Sequence, residues 1–355
     1  VFRFFKNVVI ILIVIAINGY LITEVHAAKE ALLSSAAIRT LTAHQDSVLS
    51  IAFSKTTPSL LASGSKDHTI MLWDVTQAES KPKAILKGHH DKVYAVAFSV
   101  NGKLLASAST DDTVKFWEVN TGQVMNTFSG TGEKNERVSS LAFSADGHFL
   151  ATGHWNNNIK LWNLEQQKYW RTIGGGGHSE WLWGLFSYGE GHENSVNSVA
   201  FNLDGTLLAT ASFDKTVKIW KVDTAKLIRT LTEPESWVLC LAVSPDGKIL
   251  AAGGYDQTIR FWDFNTGQLL KTLAAAHKAA VSTLAFHPNN QLLASGGFDE
   301  TVKLWDVKDM KNINLIDTRG EHEDYVNTVA FSADGKYLAT GSGDKTIKLW
   351  QVNKK

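Results

Sequence analysis

A tryptophan preceded by an apolar residue closes seven stretches of this chain: Leu72-Trp73, Phe116-Trp117, Leu161-Trp162, Ile219-Trp220, Phe261-Trp262, Leu304-Trp305 and Leu349-Trp350. The spacings are 44, 45, 58, 42, 43 and 45 residues. This period constrains the fold more than any bulk property. A unit of this size cannot bury both of its own faces, so copies must stack on one another. Six residues before each Trp stands Asp67, Asp111, Asn156, Asp214, Asp256, Asp299 or Asp344, and six of the seven read Asp-x-Thr.

Within each copy the apolar residues alternate with period two, as in Val196 to Phe201 and in Thr216 to Trp220. That is the pattern of strands. Asp146-Gly147, Asp204-Gly205, Asp246-Gly247 and Asp334-Gly335 supply tight hairpins between the first two strands. Each copy therefore reads as four short strands, and closing the ring of copies removes the unpaired edges. The last copy supplies only three strands before the chain stops. Ile38 to Leu41 matches the outer strands Leu227 to Leu231 and Leu269 to Leu273, and is expected to complete the last blade.

These residues resemble the WD40 family, from Ile38 to Lys355. Trp73-Asp74, Trp262-Asp263 and Trp305-Asp306 keep the name-giving pair; Glu118, Asn163, Lys221 and Gln351 replace the Asp elsewhere. The resemblance implies an all-β, seven-bladed propeller of residues 38–355, closed by its N-terminal strand. It also implies hydrogen-bonded tetrads of His, Ser or Thr, Asp and Trp. Five copies carry the full set: His44, Ser63, Asp67, Trp73; His89, Ser107, Asp111, Trp117; His192, Thr210, Asp214, Trp220; His277, Ser295, Asp299, Trp305; and His322, Thr340, Asp344, Trp350. The third copy lacks the His and the Asp. The fifth has Glu233-Pro234 in place of the His and Ala252 in place of the hydroxyl. Both should be less rigid or held by other contacts, and Asp256→Ala should cost less than Asp214→Ala.

Chemistry is not expected. A His-Ser-Asp set invites comparison with a hydrolase triad, but its fivefold recurrence with the Ser inside a strand marks it as structural. No metal-site, phosphate-loop or nucleophile-elbow motif appears, so no enzyme activity, cofactor or metal is expected. Lys plus Arg equals Asp plus Glu at 35 each, which gives no electrostatic footprint for nucleic acid. Cys240 stands where other copies carry Ser, Ala or Thr, and reads as a small buried strand residue.

Arg3 and Lys6, the apolar run Val8 to Ile17 and the close Val25-His26-Ala27 form a secretory signal pattern. Residues 1–27 are thus expected to export the chain to a periplasmic or extracellular space, or to stay as a membrane anchor, with 28–37 as a linker. That points to an exported, bacterial-type member, or to the C-terminal sensor part of a larger membrane protein. The expected function is a scaffold for protein or peptide partners, as a monomer within a complex. A propeller binding carbohydrate or another small ligand is the alternative.

The residue before the tetrad Asp, and those beside the first strand's leading Val, point from the histidine-loop face in this family. They give Tyr94, Trp155, Phe213, Trp237, Tyr255 and Phe298 as partner-binding candidates. Trp162 to Val196 spans 34 residues where other copies take 18 to 21, and the excess at about 174–191 carries Trp181 and Trp183. This insertion is expected either to grip a ligand or to fold down over the aromatics.

Overall fold

The computed structural model describes residues 11–17, 20–26, 33–34, 36–129, 136–174 and 190–353, and none of these residues is helical. Seven four-stranded antiparallel sheets follow one another, beside a two-stranded ribbon in which Ile11–Ile17 pairs with Tyr20–His26. The first blade takes Val48–Phe53, Leu60–Ser65, Ile70–Asp74 and Ala84–Leu86 in that order. Blades two to six repeat this plan from the inner strands Val93–Phe98, Val138–Phe143, Val196–Phe201, Val238–Val243 and Val281–Phe286. Inner strands of neighbouring blades pack on each other, and that of the seventh packs on that of the first.

The seventh blade is assembled from both ends of the chain. Val326–Phe331, Tyr337–Ser342 and Ile347–Gln351 take Arg39–Leu41 as their fourth strand. The Ile38 amide donates to the Leu349 carbonyl at 2.8 Å and Ser34 to Gln351 at 2.9 Å, and a bridge joins Leu33 to Val352. Closure by the N-terminal strand, expected from chain order, is what the sheet order shows.

The core lies between blades. Seven apolar clusters are formed, one at each boundary, and each sets a tryptophan of one blade against strands of the blade before it. Around the centre, side chains of one inner strand stitch to the next. Ser50 accepts from the Val96 amide, Ser198 from Leu241, Thr283 from Val329 and Thr328 from Ile51, at 3.1 to 3.2 Å. Cys240 occupies the same place in blade five. It is buried, its Sγ reaches the Gly253 and Val281 carbonyls, and burial pushes its thiol up to about 12. An inert strand residue is the reading that fits.

The Asp-Gly hairpins turn through glycines with φ of 70 to 77°, at Gly147, Gly205, Gly247 and Gly335. At the opposite face, the turn after each tetrad position uses a left-handed residue that is never glycine. His68, Asp112, Asn157, Lys215, Gln257, Glu300 and Lys345 have φ of 65 to 72°. Such a conformation costs about 1 kcal/mol. In the five tetrad blades the preceding Asp spans the turn, as where Asp67 Oδ1 accepts from the Thr69 amide and hydroxyl at 2.9 and 2.6 Å.

The tetrads are relays with one direction. The Trp indole N–H donates to the Ser or Thr hydroxyl at 2.8 to 3.2 Å, and that oxygen lies 2.7 Å from His Nε2. His Nδ1 lies 2.6 to 2.9 Å from the Asp, which also accepts from the amide after the histidine. Burial alone would raise the carboxyls of Asp67, Asp111, Asp214, Asp299 and Asp344. Hydrogen bonds led by the histidine outweigh it and hold all five well below the usual carboxylate range. A depressed carboxyl stabilises the fold fully above the unfolded-chain value of about 3.9 and loses that contribution as pH falls below it.

Blades three and five solve the same problem differently. In blade three His154, from the second strand, enters the relay: Trp162 donates to Thr152 at 3.0 Å, and Thr152 lies 2.8 Å from His154 Nε2. His154 Nδ1 faces the Glu136 carbonyl at 2.8 Å, which makes Nδ1 the protonated nitrogen. Burial pushes His154 down to about 4, so the ring is neutral. Beside it Lys160 and Glu136 form a buried ion pair. In blade five Asp256 pairs with Arg260 at 2.5 Å, both nearly buried. The buried Trp262 Nε1 there has no acceptor, because Ala252 carries no oxygen.

The Arg260 pair is the other contact that the sequence reading allowed for in blade five, and it changes what is expected of Asp256. Asp214→Ala strands the donors of His192 and Thr216 and should cost roughly 2–4 kcal/mol. Asp256→Ala leaves a buried guanidinium unpaired and should cost about as much; chemical denaturation showing it nearly silent would refute the pair. Ala252→Ser supplies Trp262 with its missing acceptor and should add about 1 kcal/mol, read as a rise in Tm, whereas a fall would mean the indole is satisfied already. Deleting Ile38 to Thr42 opens the seventh blade, and aggregated or unstable protein is expected by light scattering and thermal melting. A deletant that melts like the parent would show that the closing strand contributes nothing.

Candidate functional site

The histidine loops and the left-handed turns emerge on one face of the ring, since four antiparallel strands bring the second-to-third turn and the entry to the first strand to the same end. A side chain just before the tetrad position therefore meets one that flanks the next blade's leading valine. This meeting of two loops from adjacent blades builds an arc of rings. Phe213 stacks on Trp237 with centroids 4.7 Å apart, and Trp237 meets Tyr255 edge-on at 5.2 Å. Tyr255 meets Phe298 at 5.8 Å, and Phe298 stacks on Tyr325 at 4.5 Å. Five rings from four consecutive blades are thus in unbroken contact.

Trp237 is 42% exposed, Tyr255 43% and Tyr325 49%, while Phe213 and Phe298 lie half-buried beneath them. Aromatic pairs in these geometries hold each other by about 0.5–1.5 kcal/mol each beyond area burial, so the arc is stiff before anything binds. Its backbone is fixed too: the Phe213 amide donates to Ser195, Tyr255 to Trp237 and Phe298 to Ala280, at 2.9 to 3.1 Å.

Tyr94 and Trp155 form a second group across blades two and three, at 5.9 Å. Arg137 lies 5.1 Å over the Trp155 ring, a cation held against the aromatic face. The six candidates Tyr94, Trp155, Phe213, Trp237, Tyr255 and Phe298 thus fall into two groups on one face. Trp181 and Trp183, with residues 175–189 of the insertion, lie outside the described residues.

The sequence reading missed Tyr325, although it precedes Val326 just as Trp237 precedes Val238. It also missed Arg137, His154, Glu136 and Lys160, which belong to the third copy, one of the two that depart from the pattern. Among the described residues no group of three His, Cys, Asp or Glu side chains is placed to hold a metal ion.

The profile of the WD domain, G-beta repeat, matches residues 35–74, 80–118, 122–163, 177–221, 225–263, 267–306 and 314–351. Six of the matches begin at or just before the outer strand of one blade, the fourth begins after it, and all seven end on the tryptophan strand of the next. The chain is 56% identical over 41 residues to the probable cytosolic iron-sulfur protein assembly protein 1 of Debaryomyces hansenii, covering 12% of this chain and 10% of that protein. It is 28% identical over 177 residues to the guanine nucleotide-binding protein subunit beta of rice, covering 50% and 44%. It is 50% identical over 42 residues to the probable E3 ubiquitin ligase complex SCF subunit scon-2 of Neurospora crassa, covering 12% and 6%. The match thus spans about a tenth of the length of the fungal assembly protein and under half of the rice subunit.

The expectation of an exported, bacterial-type protein is corrected by these relatives, which are fungal and plant proteins, those named with a compartment being cytosolic. Among the described residues no helix is long and apolar enough to cross a membrane, and the segment read as an export signal contains the paired strands Ile11–Ile17 and Tyr20–His26. Seven matched repeats, in register with seven blades, make the chain a member of the WD40 repeat family.

Proposed function

We propose that this propeller is a non-catalytic docking platform for a protein or peptide segment, and that the arc from Phe213 to Tyr325 is its principal contact surface. The unbroken contact of five rings, three of them over four-tenths exposed, carries this reading. Contiguous exposed aromatic surface is costly to leave in water and characteristic of contact patches. Tyr and Trp dominate binding energy at interfaces because they bring large area at little cost in side-chain entropy. The arc is preorganised by stacking and by its backbone bonds, so little is lost in ordering it on binding. Two of the relatives are named as subunits of assemblies, which agrees with a scaffolding role.

Trp237→Ala with Phe298→Ala removes the centre of the arc without touching a tetrad. Partners that cross-link to the parent protein in cells should be lost from the double variant, while its circular dichroism stays that of a folded propeller. Undiminished cross-linking would place the working surface elsewhere. Loss of binding on a glycan array, with protein cross-links intact, would transfer the site to a carbohydrate ligand.

A further inference from the structure

On the opposite face, the outer rim of the ring is closed at most blade boundaries by one repeated device. The outer-strand residue paired with the apolar residue before each tryptophan is Arg39, Ala84, Asn126, Arg171, Arg229, Lys271 or Asp317. Where this residue is a cation, it reaches across to a main-chain carbonyl just beyond the next blade's tryptophan strand. Arg39 donates to Val75, Arg171 to Asp223, Arg229 to Asn265 and Lys271 to Lys311, at 2.9 to 3.1 Å. The aliphatic stem lies against the neighbouring turn, as where the Arg229 side chain comes so close to Gly267 that an added Cβ would lie 2.6 Å from it.

Two of the three exceptions are closed by other means. At Ala84 the next-but-one residue, Leu86, lies tight against Gly122 of blade two. At Asp317 an ion pair forms with Arg319, which turns to the Leu33 carbonyl. The third, between blades two and three, is left open. Asn126 makes no bond to a turn carbonyl of blade three: its Oδ1 accepts from the Thr127 amide at 2.7 Å, and across the boundary its amide nitrogen makes only a long 3.5 Å contact to the Gln167 side chain. The groove that results has a volume of about 460 Å³, within the range of about 300–1,000 Å³ that ligand sites occupy. Its walls include Phe116, Phe128, Phe143 and Leu164, and Met125 stands 60% exposed at the lip. Among the described residues that line it Asp146 is the one charged side chain, and none is Lys, Arg or His.

We propose that this groove is a second docking site, and that it receives an arginine side chain presented by a partner protein. The other boundaries show what fits such a place: a cationic head that donates to a turn carbonyl, with an apolar stem along the blade edge. Here the apolar walls and the Asp146 carboxylate are in place, and the chain's own cation is missing. The partner thus supplies in trans what Arg171 and Arg229 supply in cis. The apolar lip suits aliphatic residues on either side of that arginine, because Met125 can repack around them. The site lies on the face opposite the aromatic arc and stands whether or not the arc binds protein.

The chain has three methionines, Met71, Met125 and Met310, so ¹³C-methyl methionine spectra give a local reporter. A blocked Leu-Arg-Leu tripeptide should shift the Met125 methyl saturably and leave that of the buried Met71 in place. The citrulline and norleucine counterparts should bind at least about tenfold more weakly, the loss of roughly 1.4 kcal/mol. Asn126→Arg fills the groove from within and should abolish the shift while raising Tm. Should that variant fail to fold, Asp146→Asn, which keeps an oxygen for its turn, should weaken binding of the arginine peptide and not that of the norleucine one. No saturable shift of Met125, an equal response to the norleucine peptide, or undiminished binding by folded Asn126→Arg would each overturn the proposal.

Discussion

An indole N–H buried between two sheets is costly to leave without an acceptor, and six of the seven blades are arranged around that need. The tryptophan fills the boundary between blades with more apolar area than any other side chain could. Its nitrogen then has to be answered from within the blade. In five blades a hydroxyl answers it, a histidine answers the hydroxyl, and an ionised aspartate at the surface turn anchors the histidine. One chain of donors thus runs from the packed interior to the loop that carries the next strand. Local stiffness on the binding face is therefore inherited from the core.

Blade three shows which parts of this relay are essential. Its histidine comes from a strand instead of a loop, and its anchor is the Glu136 carbonyl instead of a carboxylate. The acceptor for the indole is preserved, and everything upstream of it has been exchanged. Blade five has lost even that acceptor and keeps only the anchored turn, with Arg260 standing in for the ring. The turn is common to all seven blades, because a left-handed residue without glycine needs something to hold it. The relay tolerates replacement at its inner end more readily than loss of the turn.

The repeat, its strands, the closing strand and the five complete tetrads were legible because each rests on residue types recurring at fixed spacing. The positions of the aromatic candidates were legible for the same reason, and Tyr325 escaped only because the rule was not carried to the last copy. What recurrence cannot show is substitution by a side chain from elsewhere. Nothing in Thr152-Gly153-His154 marks that histidine as the replacement for a loop histidine some twenty residues upstream; the equivalence exists only once the hairpin brings the two places together. The left-handed turns were likewise silent, since His68, Lys215 and Glu300 are not residues that announce positive φ. The partnership of Arg260 with Asp256 spans one strand end, and composition alone does not distinguish it from two solvated charges.

The way the ring closes also sets the order in which it can be made. Gln351 and Ser34 are hydrogen-bonded although 317 positions apart, and no nearer pair can complete the seventh blade. During synthesis, blades one to six can pair their own strands as they leave the ribosome, because each is local in the chain. The first strand to emerge after the N-terminal segment must wait, unpaired, for the last to be translated. Contacts of such long sequence separation are slow to form, and a partly made ring exposes a raw sheet edge and a half-built boundary at each end. The nascent propeller is thus most exposed to misassembly with other chains just before the seventh blade's own strands are made, and its vulnerability is a matter of time spent open more than of final stability.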